Sequence, residues 1–308
     1  MNTHEYQRLQ AERTELGRLL EQIPKGDVID RMSLQSRLDA VEQMLSSAPS
    51  GVREPARAKL TFRGKPIVRS YGIFAEFGAA AVNTFAGAVA AIGASQNGPL
   101  GTRGTLPNRD DFRLLITGTA LGSFGFELEE APKDNAMLFP ELSLVEMAIE
   151  QTKAIIEATI ATDDELADAV SEVEPRAIEA LRVFLSTMAD QEAVCALEFK
   201  DTVFRFSDVG QVRRSEERLR QDNIHEVTEW IEGAFQGVLP KRRTFEFKIA
   251  ATEEIITGKV GADIPDARAI NRMLDNATSI EVRVTRVGLG RPRYVLLRLS
   301  GNRTAQKD

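Results

Sequence analysis

Apolar residues recur at helical spacing along two segments within the first fifty residues. The two stripes consist of Leu9, Leu16, Leu20 and Ile23 in the first segment and of Ile29, Met32, Leu38, Val41 and Leu45 in the second. Pro24 and Gly26 interrupt the pattern between them, and Asp27 can cap the second helix. Both stripes are narrow and lie opposite charged faces, which is typical of a coiled-coil arm. The sequence therefore predicts an antiparallel helical hairpin over residues 1–50 that packs against the body of the protein or against a second chain.

The central part of the chain starts with a short strand, a long uncharged helix and two further β segments. These are the strand at 59–63, the helix at 73–94 and the β runs at 113–118 and 123–129. A segment rich in Ser, Pro and Gly at 46–55 precedes them as a linker, and residues 131–140 read as a second linker. The order predicts a β-α-β-β unit.

The helix at 73–94 is long enough to cross much of a bilayer, so its composition has to decide its environment. Most of its residues are Ala or Gly, with Asn83 and Thr84 in the middle and no basic or aromatic flanks. Larger apolar side chains recur at steps of three, four or five residues. We therefore expect a buried helix packed on a sheet, and no membrane insertion.

Residues 141–190 show helical periodicity in three pieces, the last of which opens at Pro175. A β-hairpin at 194–206 turns around Lys200 and Asp201. A charged helix then follows, capped by Ser207 or Asp208 and ending at Asp222. Together with the β-α-β-β unit, these segments predict a central domain over residues 56–222.

The last part of the chain alternates polar and apolar residues in five short runs. The predicted strands are 226–235, 244–249, 254–260, 279–287 and 293–299, with a short helix at 266–274. Five strands in so short a stretch predict a small closed or half-closed barrel over residues 224–299, with Val227, Trp230 and Phe235 filling its interior. Residues 300–308 are expected to be a disordered tail. The predicted fold class is α+β, with a helical hairpin, a central domain and a barrel-like domain.

Composition and motifs limit the kinds of metal, cofactor and catalytic site that the chain can form. The single cysteine, Cys195, lies in an apolar run, which predicts a core residue in a reducing compartment. The two histidines, His4 and His225, are too few to build a structural zinc site with it, and we expect no cofactor. The sequence has no phosphate-binding loop, dinucleotide fingerprint or serine-hydrolase elbow. The first twenty residues lack the apolar core of a signal peptide, so we expect a cytoplasmic protein.

Two basic turns of the predicted barrel are the candidate binding residues. Lys241, Arg242 and Arg243 fall between two strands, and Arg291 and Arg293 flank a proline between two others, with Tyr294 next to them. Residues 224–308 carry 14 basic and 11 acidic side chains, a charge of +3, which leaves −10 for the rest of a chain whose net charge is −7. Both clusters are expected to point outward and to contact an acidic protein surface or nucleic-acid phosphates.

A Glu-x-Lys pattern gives a weaker alternative. Glu198 and Lys200 could lie on one face of a strand and hold Mg²⁺ and a phosphate if a second carboxylate such as Asp190 came near. Glu246 and Lys248 have the same spacing, which strands with a solvated face produce by chance. The Gly-rich loop at 95–111, with Arg103 and Arg109, could bind an anion but is expected to be a surface excursion.

Four segments of the chain carry a resemblance. They are Gly72 with Ile73, residues 115–129, residues 196–201 and residues 282–299. Together they resemble a widespread family of uncharacterised bacterial proteins of about this size, and the resemblance covers nearly the whole chain. It implies a bacterial origin and a mobile-element or phage-defence context, and it brings no activity or site residue.

These observations favour a non-enzymatic adaptor that self-associates into a homo-oligomer through its N-terminal arm and binds a protein partner through its C-terminal β domain. The first alternative is a nucleic-acid-binding protein that uses the basic turns. The second is a metal-dependent nuclease that uses a Glu-x-Lys strand.

Overall fold

The computed structural model describes residues 3–24, 27–46, 55–69, 71–96, 98, 100–101, 103–120, 124–131 and 143–300. The predicted linkers at 46–55 and 131–140 and the predicted tail at 300–308 lie outside these residues, apart from residues 46, 55, 131 and 300. The chain divides into two compact units, Met1–Ala56 with Glu129–Ser143 and Arg57–Leu128 with Leu144–Asp308. The domain boundaries drawn from the sequence stay predictions.

The first unit contains the predicted helical hairpin, formed by α1 (Thr3–Gln22) and α2 (Val28–Ser46). Its seam consists of the buried residues Leu9, Leu16 and Val41, packed against Leu34, Leu38 and Leu45. The Arg31 guanidinium closes the turn by donating to the carbonyl oxygens of Leu20 and Ile23, both at 3.2 Å. The prediction that Ile29 and Met32 belong to the seam is wrong, since they are 81% and 68% exposed. They lie off the row that Leu34, Leu38, Val41 and Leu45 form at steps of four, three and four.

The second unit is built on a five-stranded sheet in the order β4-β5-β1-β6-β7. These strands are β1 (Arg57–Gly64), β4 (Leu114–Ala120), β5 (Phe124–Glu130), β6 (Ala193–Phe199) and β7 (Thr202–Arg205), with a small separate pair, β2 (Ile67–Val68) and β3 (Gly72–Ile73). The antiparallel pairing of β1 with β6 sets Leu60 opposite Leu197 and Phe62 opposite Cys195, all of them buried. The predicted alternation of β1 therefore gives one covered face.

Helices cover the apolar face of this sheet. They are α3 (Ala75–Gln96), α4 (Leu144–Ala158), α6 (Pro175–Asp190) and α7 (Val209–Arg218), with a 3₁₀ turn at Arg109–Phe112. The short helix α5 (Asp163–Val170) packs instead on α4 and on the later strand at 277–287. Phe77 of α3 meets Phe62 of the sheet edge to face at 5.4 Å. A Cβ on Gly93 would lie 2.2 Å from the Phe112 ring, so only glycine permits this approach. Among the described residues, α3 is the one helix long and apolar enough to cross a membrane, and 61% of its apolar window is buried inside the protein.

Local capping explains where the shorter helices begin. Thr162 and Glu165 form a capping box that starts α5, and Pro175 occupies the first turn of α6. Asp208 accepts a hydrogen bond from the Gln211 amide at 2.8 Å and starts α7, as predicted. This helix ends at Arg218, before the predicted Asp222, because the Asn223 side chain donates to the Arg218 carbonyl and the chain turns there.

The C-terminal strands form a closed barrel, which confirms the α+β prediction with a small barrel at the end of the chain. In chain order they are β8 (Ile224–Leu239), β9 (Thr244–Ile249), β10 (Ile255–Val260), β11 (Ala277–Val287) and β12 (Arg293–Leu299); the short helix α8 (Ala267–Ile270) and a 3₁₀ turn (Asn271–Met273) lie between β10 and β11. The barrel order is β10-β12-β11-β8-β9, with β10 and β12 parallel. Phe235 packs edge to face on Phe247 at 5.0 Å and on Phe245 at 6.0 Å in its interior.

Two of the three residues predicted to fill the barrel lie elsewhere. Phe235 is fully buried as predicted, but Val227 and Trp230 are 59% and 51% exposed. Strand β8 is longer than predicted, and β9 pairs with it only from Gly233 onward. Val227 and Trp230 therefore lie on a part of β8 that pairs with β11 on one side and, within the described chain, with no strand on the other.

Candidate functional site

The first predicted basic turn joins β8 to β9. Lys241 and Arg242 are exposed. Arg243 instead has a left-handed backbone (φ 50°), and its guanidinium donates to the carbonyl oxygens of Val260 at 3.2 Å and Ile264 at 2.8 Å. The prediction that this whole cluster points outward is therefore wrong for Arg243, which ties its own turn to the end of β10.

The second basic turn joins β11 to β12 and contacts α5. The Arg293 guanidinium pairs with the Asp168 carboxylate, with Nη2 3.1 Å from Oδ2, and this hydrogen bond raises the pKa of Arg293. The Arg291 amide donates to Asp164 Oδ1 at 2.8 Å, while its side chain is exposed. Arg293 was also predicted to point outward, and this prediction is wrong because the acidic first turn and middle of α5 take up its charge.

Tyr294 lies on the opposite face of β12 from Arg293, as alternation along a strand requires. Its ring packs against the buried core of the barrel. Burial raises the pKa of the Tyr294 hydroxyl, and the nearby carboxylates of Glu254 and Glu229 add to the effect. The structure therefore separates Tyr294 from the basic cluster beside it in sequence.

Five-stranded barrels that bind oligonucleotides use the face of their second and third strands and the loops between strands one and two and strands four and five. In this chain, those features are β9, β10 and the two basic turns. Lys259 on β10 pairs with Glu172 at 3.3 Å, and the β11–β12 turn is held by α5. Lys259 of that face and the β11–β12 turn are thus engaged within the second unit.

Glu198, Lys200 and Asp190, the residues of the predicted Glu-x-Lys site, each contact different partners and do not form one site. Glu198 pairs across the sheet with Lys59 at 3.0 Å, and its hydrogen bond raises the pKa of Lys59. Lys200 lies in the turn after β6 with φ 54° and contacts Glu146 at 3.0 Å and Glu150 at 3.2 Å. Asp190 accepts a hydrogen bond from Ser186 at 3.2 Å. Across the part of the chain that the structure describes, no group of three or more His, Cys, Asp or Glu residues could hold a metal ion.

The two remaining candidates from the sequence are Cys195 and the Gly-rich loop at 95–111. Burial raises the pKa of the Cys195 thiol to about 12, which confirms Cys195 as a core residue and keeps it protonated. On the Gly-rich loop, Arg103 and Arg109 are exposed, and the Arg176 guanidinium donates to the Gly101 carbonyl at 2.9 Å.

A site that the sequence did not reveal lies on the first half of β8, which we call the open edge (residues 224–232). These residues pair with β11 on one side, and β9 joins the other side only from Gly233. The Glu232 carbonyl points to the β9 side, where it accepts from the Ala250 amide at 2.9 Å. Because backbone groups alternate along a strand, those of Glu226, Thr228 and Trp230 point to the same side. Within the described residues nothing pairs with them, and residues 225–230 are exposed, although the Glu226 side chain itself is partly covered, at 28% exposure.

An apolar cleft of about 440 Å³ runs beside the open edge. Its apolar lining consists of Val170, Val173, Pro175, Ile178, Leu219, Ile224 and Val227, from α5, α6, the end of α7 and β8. Glu179, Gln221, His225 and Glu226 form its polar rim. The cleft therefore borders the start of the open edge, at residues 224–227.

A group of charged side chains fixes β8 and β11 against the helices. Arg283 of β11 is 13% exposed and pairs with Glu174 at 3.0 Å, and the Glu226 carboxylate lies 3.9 Å from the same Nη1 atom. Burial raises the pKa of Glu226, an effect that Arg283 opposes and Glu174 reinforces. At the end of α7, Arg218 donates to the carbonyls of Thr159 at 2.7 Å and Ala161 at 2.6 Å. The walls of the cleft are thus held by ion pairs and hydrogen bonds, of which the contact of Glu226 with Arg283 lies at the rim.

The sequence carried one signal for this edge. Glu226, Glu229 and Glu232 follow one another at steps of three along a β-rich segment. Charged residues on a strand are a common means of protecting an unpaired edge from aggregation. Comparisons of the chain with protein families, with curated proteins and with solved structures find no match. The resemblance to a bacterial family stays a prediction.

Proposed function

We propose that the protein is a non-enzymatic adaptor whose C-terminal β domain captures an extended segment of a partner protein as an added strand. The observation that carries this proposal is the unpaired edge at Glu226, Thr228 and Trp230, directly beside an apolar cleft. Strand addition uses main-chain hydrogen bonds for affinity and side-chain pockets for specificity, and both are available here.

Strand addition is favoured because the open edge is already held in place before a partner binds. Its other side is already paired with β11, and Arg283 and Arg218 hold the surrounding elements. A partner strand would therefore meet a preorganised surface, so the ordering cost of binding falls on the partner alone.

The test is a selection of peptides from a random display library on the immobilised full-length protein. Enriched peptides are expected to bind Thr228→Pro more than tenfold more weakly, because proline removes the outward N–H of residue 228 while the ladder to β11 keeps its bonds. Thr228→Val is the matched control, since it keeps the N–H and should bind as the wild type does. Hydrogen exchange should show protection of the Glu226, Thr228 and Trp230 amides on binding.

Two results would contradict strand addition. One is enriched peptides that bind Thr228→Pro as tightly as Thr228→Val, and the other is a selection that enriches no peptide. Thr228→Pro should keep the unfolding midpoint close to that of the wild type, which separates loss of binding from loss of folding.

The second part of the proposal is self-association through the N-terminal hairpin. Its seam is filled internally, yet Val28, Ile29 and Met32 at the start of α2 are exposed, and we expect a second copy to cover them. Ile29→Ser with Met32→Ser should lower the mass measured by light scattering at concentrations on the order of tens of micromolar. Leu289→Ser removes a fully exposed leucine elsewhere and should leave the mass unchanged. A wild-type monomer, or equal masses in all three proteins, would exclude this role.

Nucleic-acid binding is the second candidate function, favoured by the exposure of Lys241 and Arg242. Contacts with phosphates would make binding weaken with rising salt, and loss of one contact should lower the log-log slope by about one unit. Salt-sensitive binding of single-stranded DNA that Lys241→Ala and Arg242→Ala remove would favour this function over strand addition.

A further inference from the structure

We infer that the strand added to β8 is a basic segment of a different protein, in which Lys or Arg alternate with aliphatic residues. This inference rests on the proposed function, because it describes the occupant of the open edge. It follows from the charges along the edge and from the unequal chemistry of its two faces.

The open edge is acidic along its length. Between residues 225 and 232 it carries Glu226, Glu229 and Glu232 and no lysine or arginine. The nearest buried cation, Arg283, is already paired with Glu174. Arg286 lies opposite His225 on β11, at one end of this stretch. A neighbouring strand gains from opposite charges at cross-strand positions and loses from like charges, so lysine or arginine fits this edge and acidic residues do not.

The same charges argue against a second copy of this chain at the edge. Pairing of two β8 strands would place a second set of the same three carboxylates along one seam. Like charges across a strand pair are destabilising, and natural edges use them to prevent self-pairing. The occupant therefore comes from another protein.

The two faces of the added strand would meet different surroundings. Even-numbered residues of β8 face the helices, as the approach of Glu226 to Arg283 and Glu174 shows. Odd-numbered residues continue the barrel face, where Ile231 packs on the core. On the helix side, the partner side chains beside residues 224–227 would lie at the apolar cleft, which these four residues of β8 help to line. The intervening side chains would lie near Glu229, which places the cations there.

The test uses the full-length protein and three synthetic peptides of the length of the open edge. One alternates lysine with valine, the second alternates glutamate with valine, and the third alternates lysine with serine. Binding is followed by the fluorescence of Trp230, the single tryptophan, which stands on the edge itself, and by calorimetry. The lysine–valine peptide should bind at least about tenfold more tightly than either of the others. Glu229→Lys should reverse the preference between the lysine–valine and glutamate–valine peptides.

Thr228→Pro and Thr228→Val distinguish failure of the basic partner from failure of strand addition itself. If the lysine–valine and glutamate–valine peptides bind equally, or the charge-reversed variant keeps the original preference, the basic partner is excluded. Strand addition would still stand if Thr228→Pro abolishes that binding and Thr228→Val does not. Equal binding to Thr228→Pro would overturn the proposed function itself. Absence of binding by the lysine–valine peptide would exclude the basic partner, and the library selection would then decide on strand addition.

Discussion

The two halves of β8 belong to one continuous strand and yet have opposite roles. Residues 233–239 pair with β9 on one side. On the other side Gly233 and Ala234 pair with β11, and the segment 271–275 is bonded to Phe235 and Val238, which are buried. Residues 224–232 pair with β11 alone, and Val227 and Trp230 are exposed there. The first half carries three glutamates and residues 233–239 carry no charged side chain, so both the residue types and the covering of the second side set the role. One half builds the core of the barrel, and the other half offers an edge.

The difference also shows how a small barrel can bind a partner without a deep pocket of its own. The covered half is bonded on both sides, by β9 on one side and on the other by β11 at Gly233 and Ala234, by the Asp275 amide at Phe235 and by the Asn271 side chain at Val238. The open half is fixed by its pairing with β11 and by the ion pair of Arg283 with Glu174. A stable strand with one free side is the feature that strand addition requires.

The largest expected effect contrasts an apolar side chain in each half. Phe235→Ala should lower the free energy of unfolding by about 3–5 kcal/mol, because it leaves a cavity against Phe245 and Phe247. Val227→Ala should change the free energy of unfolding by less than about 0.5 kcal/mol, since Val227 is mostly exposed. Urea unfolding of both variants gives the comparison. A similar loss of unfolding free energy in the two variants would mean that Val227 is packed in a core in solution and that the two halves of β8 do not differ in this way.

Alternation along the chain was sufficient to predict the barrel. Phe245 and Phe247 stand two residues apart and both enter the interior, as the period of a strand requires. The same rule placed Val227 and Trp230 in the core, incorrectly. Alternation indicates the face on which a side chain lies, but it does not indicate whether another strand covers that face, which for β8 depends on where β9 begins to pair.

The basic turns show a second limit of sequence reasoning. Positive side chains between strands were recognised correctly as turn residues, but their partners are distant in sequence. Arg293 pairs with Asp168, 125 residues away, and Arg243 binds the carbonyl of Ile264 across the barrel end. The packing of α5 on the barrel brings Arg293 to Asp168, and the closure of the barrel brings Arg243 to Ile264. The open edge was missed for the related reason that an unpaired strand side is a property of the assembled sheet.

The smallest expected effect concerns Glu226, the member of the open half whose carboxylate lies beside Arg283 and Glu174. Its pKa is raised above the usual carboxyl value, chiefly by burial, so the folded state binds this proton more tightly than the unfolded state. The contribution of Glu226 to the free energy of unfolding therefore falls as the pH rises from the ordinary carboxyl pKa through the raised value, and it stays lower above that.

Glu226→Gln cannot ionise and should be more stable than the wild type at neutral pH, by less than about 1 kcal/mol since the side chain is 28% exposed. The difference should vanish below the ordinary carboxyl range. Urea unfolding across the acidic to neutral range measures it, with Glu229→Gln as the control at an exposed position of the same strand. A Glu226→Gln variant less stable than the wild type at neutral pH would show that the ionised carboxylate holds Arg283 in place, and the open half would then depend on its charges as strongly as the closed half depends on Phe235.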